Sequence, residues 1–406
     1  NFVGKTAFAA VNLIMPLPML LGTIGFMLGT GGSAIVGITL GEGDQKKADR
    51  YFTLFLLAAL ISVSVLAVLG IVFLRPIAVL LGAKGELLDY AVRYGRILMV
   101  SLPTFALQNM FQSFFVTAEK PHLGFWFTVG AGCTNMVLDV LMVGIWGWGV
   151  EGAAIATFIS QLVGGVLPVF YFIDRSNSSR LHLCKTSFYS KVLRDACING
   201  SSELMTNLSM SLVNILYNYQ LLRLAGENGV AAYGVIMYAA FLFVAVFVGY
   251  AVGSAPIVSF HYGARNHAEV HNLYRKSLRL IAVVAVTLTL ASMFIIPCVA
   301  RIFVGYDAEL LALTSRAFRL YALSFLIMGF NVYASSFFTA LGDGVTSALI
   351  SFLRTLAFQV IAILLLPMLL GIDGIWLAVT AAELAALAVS AAMLLTKDKV
   401  FHYRKA

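Results

Sequence analysis

Charge is scarce in this chain: only 11% of its 406 residues are Asp, Glu, Lys or Arg, against 60% that are hydrophobic. With a mean hydropathy of +0.92, a soluble domain of this length is excluded and an integral membrane protein is implied. There is no GxxxxGK[ST] phosphate loop, so the chain carries no nucleotide motor of its own. HExxH and GxSxG patterns are also missing, and the six histidines lie between or at the ends of apolar runs, which leaves enzyme chemistry without a visible home. Four cysteines, Cys133, Cys184, Cys197 and Cys298, are scattered without a CxxC pair or metal spacing, so nothing in their pattern suggests a zinc or disulfide framework. No metal site and no cofactor are expected, and no signal peptide precedes the first apolar run.

Long apolar runs are plentiful. A helical span needs about 20 apolar residues, and such segments occur near 9–40, 51–73, 90–117, 123–146, 150–173, 196–222, 229–262, 279–303, 316–340, 344–370 and 374–396. The chain also aligns with itself at a shift of 222 residues. Gly31, Ile35, Val36 and Gly41 fall on Gly253, Ile257, Val258 and Gly263. Asn109, Ser113, Phe115 and Thr117 fall on Asn331, Ser335, Phe337 and Thr339. A one-residue slip sets Arg93 and Arg96 on Arg316 and Arg319. The fold class expected is therefore all-α and membrane-spanning, in two pseudo-symmetric six-helix lobes related as a parallel repeat. Eleven helices are expected in this chain and a twelfth, the first, before Asn1, because the span at 196–222 has no counterpart in the first half. The expected divisions are an N-lobe at 1–175, a linker at 176–192 and a C-lobe at 193–400.

The bases give an orientation. Loops at 41–50, 117–123, 174–195, 263–280 and 397–406 share one side and hold 17 of the 27 Lys and Arg residues, so that side and the C-terminus are expected in the cytoplasm. The net charge of +8 is thus a topology signal and not a nucleic-acid footprint. The partners expected are a lipid bilayer and a small-molecule substrate, with no nucleic acid, and the chain is expected to be a monomer.

Ionisable groups inside spans cost about 2.5–3.5 kcal/mol each on insertion scales, so the few present are informative. They are Asp139, Glu203 and Glu383 against a single base, Arg354. This negative balance suits a cationic passenger or a bound H+ or Na+. Asn135 stands one turn before Asp139 on one helical face, and the two together offer oxygen ligands for Na+, or a carboxyl for a proton. A polar packing pair is the alternative. Glu203 opens a stripe continued by Asn207, Ser211, Asn214 and Asn218; it either lines water or lets Glu203 snorkel to the surface. Arg354 and Glu383, near the middle of adjacent spans, read as a structural ion pair. Gln108, Gln112 and Asn331 are candidate cavity liners, along with Asn214.

The stretch Gly31-Gly-Ser-Ala-Ile-Val36, Leu40-Gly-Glu-Gly-Asp44 with Lys47-Ala48, the Asn135/Asp139 pair and Val150-Glu-Gly-Ala-Ala-Ile-Ala156 together resemble the multidrug and toxic compound extrusion (MATE) family, nearest its bacterial DinF-like branch. The resemblance implies twelve helices in two lobes and a secondary antiporter of the bacterial inner membrane. Such an antiporter exports amphipathic, cationic drugs or toxic compounds in exchange for H+ or Na+ by alternating access. It further implies a first-lobe ion site at Asn135 and Asp139, joined by Thr157 and by an acid on a first helix that this sequence does not include, and a functional acid at Glu203. A lipid-precursor flippase of the same broader superfamily is the alternative.

Overall fold

A computed structural model describes residues 5–403, which form helices joined by short turns, with no strand among the described residues. The chain divides into two compact units, one ending at Gly200 and the other starting at Ser201. The first unit contains α1 (Lys5–Ile14), α2 (Pro16–Gly41), α3 (Gln45–Leu80), α4 (Glu86–Thr117), α5 (Pro121–Asp139), α6 (Gly149–Gly165), α7 (Leu167–Ile173) and α8 (Ser190–Asn199). A π-helical turn, Val140–Ile145, prolongs α5. The second unit contains α9 (Ser201–Gly263), α10 (His267–Val304), α11 (Ala308–Ala322), α12 (Phe325–Ala340), α13 (Gly344–Phe352), α14 (Phe358–Leu370), α15 (Ile372–Thr396) and α16 (Asp398–Phe401), with a π turn, Leu353–Ala357, joining α13 to α14.

Local chemistry explains the boundaries. Pro16 and Pro121 open α2 and α5, where a missing N–H costs nothing. Asp44 caps α3 by accepting from the Lys47 amide (3.0 Å), and Asn266 caps α10 by accepting from the Glu269 amide (3.1 Å). The apolar helices are inside-out relative to a soluble protein. On α3, Leu57, Ile61, Val65, Val68 and Val72 are exposed at helical spacing, whereas Val63, Ala67, Gly70, Leu74 and Ala78 are buried. An exposed apolar stripe of that length is stable against lipid, not water. Within the first unit, small residues allow close crossings: a Cβ on Gly25 of α2 would lie 2.3 Å from the Ala106 carbonyl oxygen of α4.

Eight helices among the described residues are long and apolar enough to cross a membrane, or nine if bent pair α11–α12 is one span. Two further facts bring the count to the eleven expected. The 63-residue α9 is broken at Gly226 (φ 62°, ψ −150°), so its two arms are separate spans. And α4, though 32 residues long, carries Glu86, Asp89, Arg93 and Arg96 in its first three turns, which dilute an otherwise apolar rod.

The internal repeat is visible in atomic detail. The caps Asp44 and Asn266 are 222 residues apart, as are Gly149 (φ 61°) and Gly371 (φ 60°), which open α6 and α15. Arg93 pairs with Glu151 (3.4 Å) in the first unit, and Arg316 pairs with Asp373 in the second. Thr117 donates to the Ser113 carbonyl and Thr339 to the Ser335 carbonyl, both at 3.2 Å. The point of division differs from the expected linker and C-lobe. Segment 176–192 and α8 belong with the first unit; Asn199 donates to the Gly31 carbonyl of α2 (3.4 Å), and the second unit begins at Ser201 rather than 193.

Candidate functional site

In the first unit the polar groups expected to act together share α5, the span with the least buried window at 11%. Asn135 and Asp139 are half-buried. Asp139 is the last α-helical residue before the π turn, in which the Trp146 amide reaches the Leu141 carbonyl (2.8 Å). Such one-residue excesses recur where helices present functional groups. Neither side chain is satisfied: Asp139 Oδ1 and Asn135 Nδ2 are buried without a hydrogen-bond partner among the described residues. Asp139 lies near enough to buried Tyr94 on α4 for its charge to be felt at that phenol, whose hydroxyl donates to Met15 Sδ (3.8 Å). Thr157, on neighbouring α6, does not join them; its hydroxyl donates to the Ala153 carbonyl one turn back (3.0 Å). The implied three-residue set is thus a pair plus a self-bonded Thr.

Gln108 lies over Gly164, where a Cβ would sit 2.8 Å from Gln108 Cδ, so it is wedged at the α4–α6 crossing. Gln112 is exposed.

In the second unit the structure assembles a denser cluster. Arg354 Nη1 lies 3.8 Å from Glu383 Oε1, with the two side chains 13% and 2% exposed. Asn331, expected to line a cavity, is instead completely buried. Its Nδ2 donates to Glu383 Oε2 (2.7 Å) and to the Glu383 carbonyl (2.9 Å), and its Oδ1 accepts from Ser390 Oγ (2.9 Å). Arg354 sits in the π turn and keeps a buried Nε with no partner among the described residues. Its charge also acts on Glu203, the first acid of α9, although no nitrogen of Arg354 comes within 4.0 Å of that carboxylate. One guanidinium therefore faces two carboxyl groups, paired with Glu383 and reaching Glu203 through its field.

The stripe on the first arm of α9 stays on its own helix. Asn207 donates to the Glu203 carbonyl (2.9 Å), Ser211 to the Asn207 carbonyl (3.3 Å), and Asn218 to Asn214 through its carbonyl (3.0 Å) and side chain (3.1 Å). Asn207 and Asn218 each spend an amide donor one turn back, which makes those two positions more tolerable in a membrane. Asn214 and Ser211 are exposed on the surface of the second unit.

The residues that sequence reasoning overlooked, Asn109, Gln161 and Ser390, were accessible through the repeat. Asn109 and Gln161, on α4 and α6, stand at the positions of Asn331 and Glu383; Asn109 Nδ2 and Gln161 Oε1 are buried and unpartnered among the described residues. The two units thus differ in charge at equivalent places. Gly132, Gln161 and Pro168 stand where the second unit has Arg354, Glu383 and Ser390. Conversely, Ala357, Ile361 and Val379 stand where the first has Asn135, Asp139 and Thr157.

Comparison with known proteins gives three concordant findings. The MatE family profile matches residues 1–141 and 204–365. The multidrug export protein MepA of Staphylococcus saprophyticus is 21% identical over 407 residues, covering 98% of this chain and 88% of its own. Among solved structures, an outward-facing multidrug resistance MATE family transporter of the MOP superfamily superposes with a TM-score of 0.92 at 23% identity, covering all of this chain and 90% of that one. A MOP superfamily transporter from Pyrococcus furiosus, described as having a binding pocket of reversed polarity, superposes with a TM-score of 0.90 at 23% identity over 99% of this chain and 90% of its own.

Proposed function

This chain belongs to the MatE family of membrane transporters, and we propose that it is a secondary antiporter that exports amphipathic, cationic small molecules in exchange for H+ or Na+. The observation that carries the reading is the unsatisfied pair on α5: a carboxylate oxygen of Asp139 and the amide of Asn135, buried in a span with no protein partner among the described residues. A carboxylate at membrane depth requires a cation. Arg354 answers that requirement for Glu383 in the second unit, and no base among the described residues does so for Asp139 in the first. An exchangeable cation fills the same role. In this reading a proton or Na+ resides at Asp139 and Asn135 during one half of the cycle, and leaves when a cationic passenger or the alternate conformation displaces it.

Glu203 is proposed as a second acid that meets the passenger, because Arg354 is paired with Glu383 and reaches Glu203 only through its field. Asn207, Asn214, Gln108 and Gln112 are proposed as polar contacts along the passenger's path, and Thr157 as a residue that joins the first-unit site only after turning from its own backbone. The MepA relative is named for multidrug export, which supports a broad passenger range. The basic loops support a cytoplasmic C-terminus, and we take the chain to be a multi-pass monomer of a bacterial plasma membrane. The flippase alternative is not favoured: the spans hold three acids and one base, the wrong polarity for a pyrophosphate-linked lipid.

Efflux of a fluorescent organic cation from vesicles, with imposed proton or sodium gradients, tests this. Asp139→Asn is expected to reduce gradient-driven efflux to background while the protein still folds. Undiminished coupling in that variant would remove Asp139 from the mechanism.

A further inference from the structure

The segment after α7 and the start of α3, both in the first unit, frame a basin of about 480 Å³ lined by Lys46, Asp49, Arg50, Arg175, His182, Cys184 and Lys185. Four bases face one carboxylate. That carboxylate is already engaged, since Asp49 Oδ1 accepts from the His182 amide (3.0 Å) and from Gln45 Nε2 (3.2 Å). Arg175 reaches Asp49 only through its field. None of the four bases comes within 4.0 Å of a carboxylate among the described residues. Lys46 and Arg50 are four apart on α3, where like charges repel across one turn. His182 adds a buried Nε2 with no partner among the described residues.

The basin is built in advance. Three bonds strap the segment to α3: His182 N to Asp49, Cys184 N to Thr53 Oγ1 (3.1 Å), and Thr186 Oγ1 to the Arg50 carbonyl (2.8 Å). A preformed concavity with four uncompensated bases, two of them guanidinium forks suited to bidentate contact, is chemistry for a phosphate.

We propose that this basin binds a phosphate group, supplied by the headgroup of an anionic phospholipid. The location selects the source. The basin lies at the foot of α3 and just beyond the end of α7, where membrane-spanning helices meet water, on the side that the excess of bases assigns to the cytoplasm. Bases there gain from an anionic leaflet, and a partly open basin at that depth admits a headgroup while its acyl chains stay in the bilayer. The bases that orient the chain then also hold a lipid against the first unit.

Cys184 lines the basin and reports on it. With Cys133, Cys197 and Cys298 replaced by Ser, alkylation of Cys184 by a charge-neutral maleimide is timed in nanodiscs of phosphatidylcholine alone, of phosphatidylcholine with phosphatidylglycerol, and of phosphatidylcholine with inorganic phosphate at matched ionic strength. Phosphatidylglycerol is expected to slow labelling severalfold. Arg50→Gln/Arg175→Gln/Lys185→Gln is expected to abolish that protection, since each base contributes on the order of fivefold in affinity at an anionic surface. The charge-keeping Arg50→Lys/Arg175→Lys/Lys185→Arg should retain it, which separates loss of binding from loss of fold. Lys191→Gln/Arg194→Gln/Arg265→Gln, outside the basin, should retain it too, which separates a site from general surface potential. Protection by inorganic phosphate alone would overturn the lipid source. Labelling at one rate in all three media, or equal protection in wild type and the Gln triple variant, would overturn the site itself.

Discussion

Arg354→Met removes the only cation paired with Glu383 among the described residues and should be costly in a way that a second change repairs. At 3.8 Å and an effective dielectric of about 20, the Arg354–Glu383 attraction is about 4 kcal/mol. Burying each ion also costs several kcal/mol, so the intact pair is near neutral in balance while a broken one is not. Glu383 is 2% exposed and cannot turn to water, so the single variant is expected to lose about 3–5 kcal/mol. In Arg354→Met/Glu383→Gln the stranded charge is gone and the Gln still accepts from Asn331, so stability should return to within about 1–2 kcal/mol of wild type. Equilibrium unfolding in mixed micelles by dodecyl sulfate reads this through Trp376. That residue is buried on α15 with Glu383, whereas Trp126, Trp146 and Trp148 are exposed. A single variant that unfolds at the wild-type detergent fraction, or a double variant no better than the single, would refute the reasoning.

Two further outcomes are expected. Asp343, in the turn before α13, is pushed up by burial, but Lys397 Nζ (2.8 Å) and the Thr346 hydroxyl (2.8 Å) and amide (3.2 Å) more than offset this and hold its carboxyl below the ordinary 3.8. A carboxyl depressed on folding stabilises above its unfolded value and loses that contribution as pH falls through the folded one. Asp343→Asn should therefore destabilise by about 1 kcal/mol at pH 7, with the gap to wild type closing below about pH 4 in pH-dependent melting; a gap independent of pH would contradict this. Gly371→Ala should cost about 1–3 kcal/mol, because φ 60° with ψ −138° is open to Gly alone, and Gly149→Ala should behave alike if the repeat is structural; melting temperatures of the two variants settle it.

The division into spans was legible because lipid imposes a simple code: apolar runs of sufficient length, interrupted by bases. The repeat was legible because turn, cap and ion-pair positions such as Gly149, Asp44 and Arg93 recur in kind at Gly371, Asn266 and Arg316. The Arg354–Glu383 pair could be anticipated from the cost of leaving either charge alone. What the sequence concealed was mostly long-range approach. Apolar residues at 196–199 read as the start of a span, yet they belong to the amphipathic α8. The break falls at Gly200 because a Cβ there would lie 1.9 Å from the Met27 carbonyl oxygen of α2, an encounter between residues far apart in the chain. Asn331 looked like a cavity liner because its partners, Glu383 and Ser390, are more than fifty positions away. Thr157 showed no sign that its hydroxyl would turn to its own backbone.

The π turn at Leu353–Ala357 also bears on how this helix can change length. In an ordinary α-helix, deleting one residue rotates everything beyond it by about 100°, which would turn the lipid-facing side of α14 inward and Ala362 and Ile363 outward. A π turn already holds one residue in excess of the α register, so a deletion there is absorbed as the turn tightens, and Phe358–Leu370 keeps its facing. Arg354 is in that turn. Length variation at this one turn would thus fall on the segment that carries Arg354 while the rest of the helix keeps its facing.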